Sequence, residues 1–293
     1  VNVVGRIRTY GSLVAFSHTI FAMPFAASAV VLALAEPHVP ITALRVAAML
    51  VCMISARSSA MAFNRWADRH IDAENPRTKM RHVPSGAVSP NEALAIAIGT
   101  AVVFVACAAT LGFWPGVLAV PVLGVLLGYS MAKRFTWGAH AWLGVALALA
   151  PGGAWLAVGA TPNVGIVALM VAVATWLLGF DVLYSLQDEA FDRDKGLHSI
   201  PARFGTVGAL VISGAAHVGT IAALAVTGIA LHRGVVFGGA VALVGALLTY
   251  EHALVGKGNL AKIDKAFFDV NAWVSMAFFA VTLLDELRRR GIV

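Results

Sequence analysis

Charge is what this 293-residue chain has least of: Asp, Glu, Lys and Arg make up 12% of it, against 59% hydrophobic residues. A water-soluble domain of this length carries about twice that share of charge. Cysteine is almost as scarce. Cys52 and Cys107 both fall inside apolar segments, which excludes a disulfide framework and reads as small packing residues. The nine histidines are scattered, with no HExxH or Cys/His spacing, so no zinc site is expected. A Walker-type or GxGxxG loop is missing too, so a phosphate would have to be held by other means.

Long apolar runs are what the chain has instead, at a mean hydropathy of +0.83. A bilayer core of ~30 Å needs about 20 apolar residues per helix. Nine segments meet or approach that length, at about 11–35, 41–66, 91–112, 115–132, 138–158, 164–187, 206–230, 234–251 and 266–287. The expected fold is therefore all-α, a polytopic membrane bundle of about nine helices around a central cavity, in a single domain over 1–293. The first run is too long for the ~7–15-residue core of a secretory signal, and it carries His18 and Pro24, so it counts as a helix. The third has a readable start, with Ser89 and Glu92 at capping-box spacing and Pro90 at the first helical position. Pro151-Gly152-Gly153 predicts a kink or a locally unwound stretch in the fifth.

Loops after the second, fourth, sixth and eighth segments are basic and polar, whereas 112–116 and 159–163 carry no charge. With Arg6 and Arg8, one side of the membrane thus collects most of the 21 basic residues, and the positive-inside rule makes that side cytoplasmic. Anchoring at an anionic inner leaflet accounts for the net charge of +6, so nucleic acid is not implied. Arg288, Arg289 and Arg290 fall on the wrong side. Either the tail lies along the interface or the helix count is off by one. An internal echo (acidic clusters after segments two and six, Tyr129 to Lys133 after four, Tyr250 and Glu251 after eight) fits a duplicated unit, about 1–135 and 136–265 plus a last helix 266–287. It fits coincidence as well.

The acidic residues are the informative minority. Seven of the 15, Asp68, Asp72, Glu74, Asp188, Glu189, Asp192 and Asp194, fall in two loops. Singly, each would read as an ordinary solvated helix end. Asn64, Asp68 and Asp72 stand four apart, so their oxygens can face one way, with Arg57 two turns earlier. Asp181, Asp188 and Asp192 repeat the pattern. Arg57 and Asp181 fall at or near membrane depth, where an ionised group is costly and points to function. Clustered carboxylates repel unless a cation sits between them, and Mg²⁺ suits: it binds through one or two carboxylates plus substrate phosphates. Nearby Lys133, Arg65, Arg69 and Arg77 could neutralise remaining phosphate charge.

The stretch from Ala62 to Asp72, AFNRWADRHID, with Asn75-Pro76-Arg77-Thr78, resembles the NxxxDxxxD region of the UbiA superfamily of intramembrane prenyltransferases. Residues 184–205, YSLQDEAFDRDKGLHSIPARFG, resemble that family's second DxxxD motif and following loop, and SHTIFAMPFA resembles its first helix. The resemblance runs the whole chain. It implies a polyprenyl diphosphate donor, Mg²⁺, and an aromatic or other lipophilic acceptor. By position, it makes Asn64, Asp68 and Asp72 the first metal–diphosphate motif and Asp188 and Asp192 the second. It also implies that Tyr129 and Lys133 line the diphosphate region and that Arg57 contacts an acceptor carboxylate. Arg65 stands where many relatives have Asp, which leaves the spaced motif intact.

The expected chemistry follows from that resemblance. Mg²⁺ and Lys133 stabilise the leaving diphosphate, the C1–O bond loosens, and a phenolic ring attacks in a chamber that excludes water. Asp181 either polarises the phenol or serves as a structural partner for a tyrosine or arginine. The acceptor is expected to be 4-hydroxybenzoate, with a dihydroxynaphthoate of menaquinone synthesis as the alternative, in the cell membrane with the site facing the cytoplasm. A cation transporter is the reading from another class. It requires acidic residues deep in several helices and on both sides of the membrane, and the outer loops after segments three and five carry none.

Overall fold

The computed structural model describes residues 9, 10, 12, 13, 21–256 and 263–293. Among them the structure is helical, without strands. Its main elements are α1 (Ala22–Ala33), α2 (Ala43–Ala67), α3 (Pro90–Leu111), α4 (Phe113–Ala132), α5 (Ala139–Ala157), α6 (Val164–Ser185), α7 (Ile200–Ala230), α8 (Val235–Val255) and α9 (Asn271–Arg289). Eight of these, α2 to α9, are long and apolar enough to cross a membrane. The ninth expected span, 11–35, is helical over Ala22–Ala33 and at Ser12 and Leu13 among its described residues. Positions 11 and 14–20, including His18, lie outside the described residues, as do Arg6, Arg8, Lys257 and Lys262.

Starts are set by side-chain caps. Ser89 Oγ accepts from the Glu92 N–H at 3.2 Å and Glu92 Oε2 accepts from the Ser89 N–H at 2.9 Å, completing the expected capping box around Pro90. Thr42, Asn163 and Ser199 cap α2, α6 and α7 in the same way, each through one side-chain oxygen.

The chain divides into two compact units. The first holds the described residues up to Leu13 with Ile41–Met131; the second holds those of Ile20–Pro40 with Ala132–Val293. In the first, α2 and α3 run antiparallel. Arg45 Nη1 donates to the Leu111 carbonyl at 3.0 Å, Cys107 Sγ to the Ala48 carbonyl at 3.3 Å and Ser59 Oγ to the Ala97 carbonyl at 2.9 Å. Both cysteines are free.

In the second unit α6 is the central helix, its Leu169, Trp176, Leu177 and Val182 almost wholly buried. Ser213 and Thr220 of α7 meet Gly179 and Thr175 of α6 at 2.8 and 3.0 Å. On another side α5 lies so close that a Cβ at Gly144 would collide with the Ala174 carbonyl. Phe25 of α1 stacks with Phe278 of α9 and packs against Trp176. A chain of buried polar bonds, Trp176 Nε1 to Asn271 Oδ1 (2.8 Å) and Asn271 Nδ2 to Glu251 Oε1 (2.7 Å), ties α6, α9 and α8 together.

Two elements differ from expectation. Helix α5 continues through Pro151-Gly152-Gly153, so no unwound stretch forms there; at Gly152 the missing side chain makes room for the Met170 thioether. Helix α7 carries an extra turn from Ile200 ahead of the expected segment: Gly205 at φ 69° is non-helical and breaks that turn off from the long helix beyond it, which runs on from 206 as expected. The terminal arginines are neutralised in place. Arg289 and Arg290 pair with Glu286 (3.8 and 2.8 Å), Arg290 also donates to the Leu34 carbonyl, and the fully buried Arg233 side chain reaches Asp285, Glu286 and the Leu32 carbonyl. Replacing Arg233 with Met leaves Asp285 facing no cation. We expect about 3 kcal/mol of stability to be lost, read as a lower unfolding midpoint in detergent; an unchanged midpoint contradicts this role.

Candidate active site

In the first unit the acidic motif is built at the end of α2. The backbone of Asp68 adopts φ −89°, ψ 5° and closes the helix, and a short helix, Arg69–Glu74, follows at once. The i to i−4 bonding nevertheless continues through the junction: the Asp68 N–H donates to the Asn64 carbonyl and the Asp72 N–H to the Asp68 carbonyl, at 2.9 and 2.8 Å. Asn64, Asp68 and Asp72 therefore keep the four-residue stagger expected of them. Asn64 Nδ2 donates to Asp68 Oδ2 at 2.8 Å and reaches Ser130 Oγ of α4 at 3.4 Å, which brings the motif beside Tyr129. Asp72 is buried, with Oδ1 bonded by Arg81 at 2.8 Å and Oδ2 buried without a hydrogen-bond partner.

Positive charge surrounds these oxygens. Arg65 Nη1 donates to Asn64 Oδ1 at 3.3 Å and interacts with Asp68, Asp72, Arg81 and Tyr129. The loop back to α3 folds on its own polar groups: Asn75 Oδ1 accepts from the Arg77 N–H and Thr78 Oγ1 donates to the Asp72 carbonyl. His82 of that loop is held below the ordinary histidine range, chiefly by burial and then by the charge of Arg65. Arg57 lies partly buried on α2, two turns before Asn64.

The second unit repeats the construction. A single 3₁₀ turn, Leu186–Asp188, ends α6; Asp188 takes φ −102°, ψ 1°, and a short helix, Glu189–Asp194, carries Asp192. Both carboxylates are buried, at 6% and 2% exposure. Lys133 Nζ meets Asp192 Oδ2 at 3.2 Å, and the Lys133 carbonyl accepts from the His198 N–H at 2.8 Å, which holds the lysine backbone against the motif loop. Thr206 Oγ1 donates to Glu189 Oε2 at 2.9 Å, fixing the loop to α7 just beyond Gly205. Asp181 stands two turns before Asp188. Its structural partner is neither a tyrosine nor an arginine: Oδ2 accepts from Nδ1 of the buried His140 at 2.6 Å.

Each unit thus places a helix-ending Asp, a buried second Asp and a basic partner together. Ser130, Arg81 and His140 are partners that the sequence reading did not assign, and no spacing signal marks them. Among the described residues no group of three or more His, Cys, Asp or Glu side chains could hold a metal by itself. That fits Mg²⁺ only in the manner usual for it, through one or two carboxylates with substrate phosphate oxygens completing the shell. The buried, unpartnered Asp72 Oδ2 is such a vacant acceptor.

Residues 22–280 match the UbiA prenyltransferase family. Curated relatives include a 4-hydroxybenzoate octaprenyltransferase of Nitrosomonas europaea, 31% identical over 80% of each chain, and one of Aromatoleum aromaticum, 31% identical over 78% of this chain and 77% of that protein. Among solved structures, a UbiA homolog from Aeropyrum pernix in its apo form is 32% identical, with a TM-score of 0.81 over 92% of this chain and 98% of that one. A UbiA homolog from Archaeoglobus fulgidus bound to GPP and Mg²⁺ shares the fold at 19% identity, with a TM-score of 0.69 over 94% and 99%.

An unpartnered buried oxygen is tolerated, not needed, for folding. Asp72→Asn should cost less than about 1 kcal/mol of stability, since its Arg81 partner is part-exposed. Mg²⁺-dependent binding of a diphosphate should fall by tenfold or more, by about 1.4 kcal/mol. A large drop in detergent stability with binding intact contradicts this.

Proposed function

The chain belongs to the UbiA prenyltransferase family, and on that premise we propose that it transfers a polyprenyl group from a polyprenyl diphosphate to 4-hydroxybenzoate in quinone-type lipid biosynthesis. It is a multi-pass integral membrane protein. The observation that carries the reading is the matched construction of the two acidic motifs, each with buried carboxylate oxygens beside a cation. Carboxylates of that kind serve a ligand that brings its own oxygens and needs a metal to bind them.

In this mechanism Asn64, Asp68 and Asp72 of one motif and Asp188 and Asp192 of the other are the residues that would hold Mg²⁺ and the diphosphate oxygens it brings. Bound Mg²⁺ would supply charge neutralisation for the departing diphosphate. The chain's own residues do the rest. Lys133, fixed to Asp192, and Arg65, fixed to Asn64, present cations where negative charge develops. Tyr129 borders the diphosphate region. Arg57, deeper in the membrane, pairs with the acceptor carboxylate, which orients the ring. Asp181 draws on the phenolic O–H and raises the electron density of the ring carbon that attacks C1. Apolar helices keep water from an allylic cation that it would quench.

Acceptor identity leans on the names of the relatives and on Arg57, which a dihydroxynaphthoate would satisfy equally. The charge bias of the loops supports a site that opens to the cytoplasm from the cell membrane. Purified protein in lipid nanodiscs, given a polyprenyl diphosphate and Mg²⁺, should prenylate 4-hydroxybenzoate in preference to 1,4-dihydroxy-2-naphthoate. Preference for the naphthoate moves the protein to menaquinone synthesis. Asp68→Ala and Asp188→Ala should each lower turnover by about 10²-fold or more while the protein still folds; near-normal transfer by either removes its motif from the chemistry.

A further inference from the structure

Helices α5 and α6 meet along a seam made close by Gly144, whose Cβ would strike the Ala174 carbonyl. Further along the same seam, one turn back on α5 and two turns on along α6, His140 Nδ1 bonds Asp181 Oδ2 at 2.6 Å. His140 is 1% exposed, and its other nitrogen, Nε2, is buried with no hydrogen-bond partner. An unpaired acceptor is cheaper to bury than an unpaired N–H donor. The arrangement is that of an Nδ1–H donor to the carboxylate, in the first turn of α5, where a helix N-terminus favours a carboxylate nearby.

As a staple between helices the pair is a poor bargain. Interhelical hydrogen bonds in membranes average about 0.6 kcal/mol, whereas an acidic group at membrane depth costs about 2.5–3.5 kcal/mol. Nor is Asp181 sealed like its neighbours. Its side chain keeps 17% exposure, while Gly179, Phe180, Val182 and Leu183 around it are buried. One oxygen is fixed and the group remains reachable.

We propose that His140 is the positioning residue for Asp181, holding one carboxylate oxygen through Nδ1–H so that the other takes the phenolic proton of the aromatic acceptor. This rests on the transfer reaction given above. The phenolic O–H proton passes to Asp181. The ring carbon ortho to that oxygen bonds to prenyl C1 as the C1–O bond breaks, its electron pair leaving on diphosphate. The dienone formed gives its ring proton to the departing diphosphate and takes the Asp181 proton back on oxygen, which restores the carboxylate.

The test compares His140→Leu, which removes the donor, with His140→Asn, whose amide can donate from nearly the position of Nδ1. With 4-hydroxybenzoate, His140→Leu should lower kcat about 10²-fold with little change in KM for the acceptor, and His140→Asn should recover most of the loss. A ring-fluorinated 4-hydroxybenzoate, whose phenol is more acidic, needs less help, so the ratio of wild-type to His140→Leu rates should shrink. If His140→Leu does not fold, Asp181→Asn, of unchanged shape, must show the same narrowing. A ratio indifferent to phenol acidity, or His140→Asn as impaired as His140→Leu, overturns the proposal. Wild-type protein inert toward every phenolic acid overturns the transfer reaction with it; an active wild type with an unchanged ratio overturns this inference alone.

Discussion

Burying a carboxylate at the end of an apolar helix is the costly act on which the rest of this structure depends. The penalty for removing such a charge from water is several kcal/mol after relaxation, and only well-placed cations and hydrogen bonds return it. Asp72 has Arg81 on one oxygen and no hydrogen-bond partner on the other; Asp192 has Lys133. Each of these buried acids therefore carries a basic partner. The same rule governs the far end of α9, where Arg233, Arg289 and Arg290 enclose Asp285 and Glu286. There both acids are paired with arginines of the chain. In the first motif Asp72 Oδ2 is buried without a hydrogen-bond partner, and such an oxygen is what a metal with a diphosphate would satisfy.

Local backbone geometry sets where these acids stand. Both motifs end a long helix on an Asp near ψ 0°, at Asp68 and Asp188, then restart as a helix of six residues. In the first motif the i to i−4 bonding runs through the break, so the four-residue stagger is kept and the acidic side chains from that stretch stay on one side. The polar bonds that fix these turns are short-range in the first unit, through Asn64 and Asn75, and reach across helices through Ser130, Lys133 and Thr206.

Much of this was legible beforehand because it is local. Apolar length marks α2 to α9, Ser89 and Glu92 mark the start of α3, and the spacing of Asn64, Asp68 and Asp72 survives into the coordinates because hydrogen bonding is continuous across the break. What stayed hidden involves partners distant in sequence. Ser130 meets Asn64 across 66 positions and His140 meets Asp181 across 41, and neither has a pattern to announce it. The short turn from Ile200 was missed for another reason: Gly205 breaks it off from the long helix that hydropathy does place, and so brief a turn with Pro201 and Arg203 in it has no apolar run of its own. At Pro151 the opposite happened, since a proline that reads as a breaker is carried within an intact α5.

On the reading proposed above, each motif has a share in holding a metal-bound diphosphate, and ligand affinity tests this most directly. Mg²⁺-dependent binding of an unreactive prenyl thiolodiphosphate would be measured for Asp68→Ala, Asp188→Ala and the double variant. Each single variant should bind tenfold or more weakly, a loss of about 1.4 kcal/mol or more, and the double variant should bind no better than either. Unchanged affinity in either single variant would contradict the account.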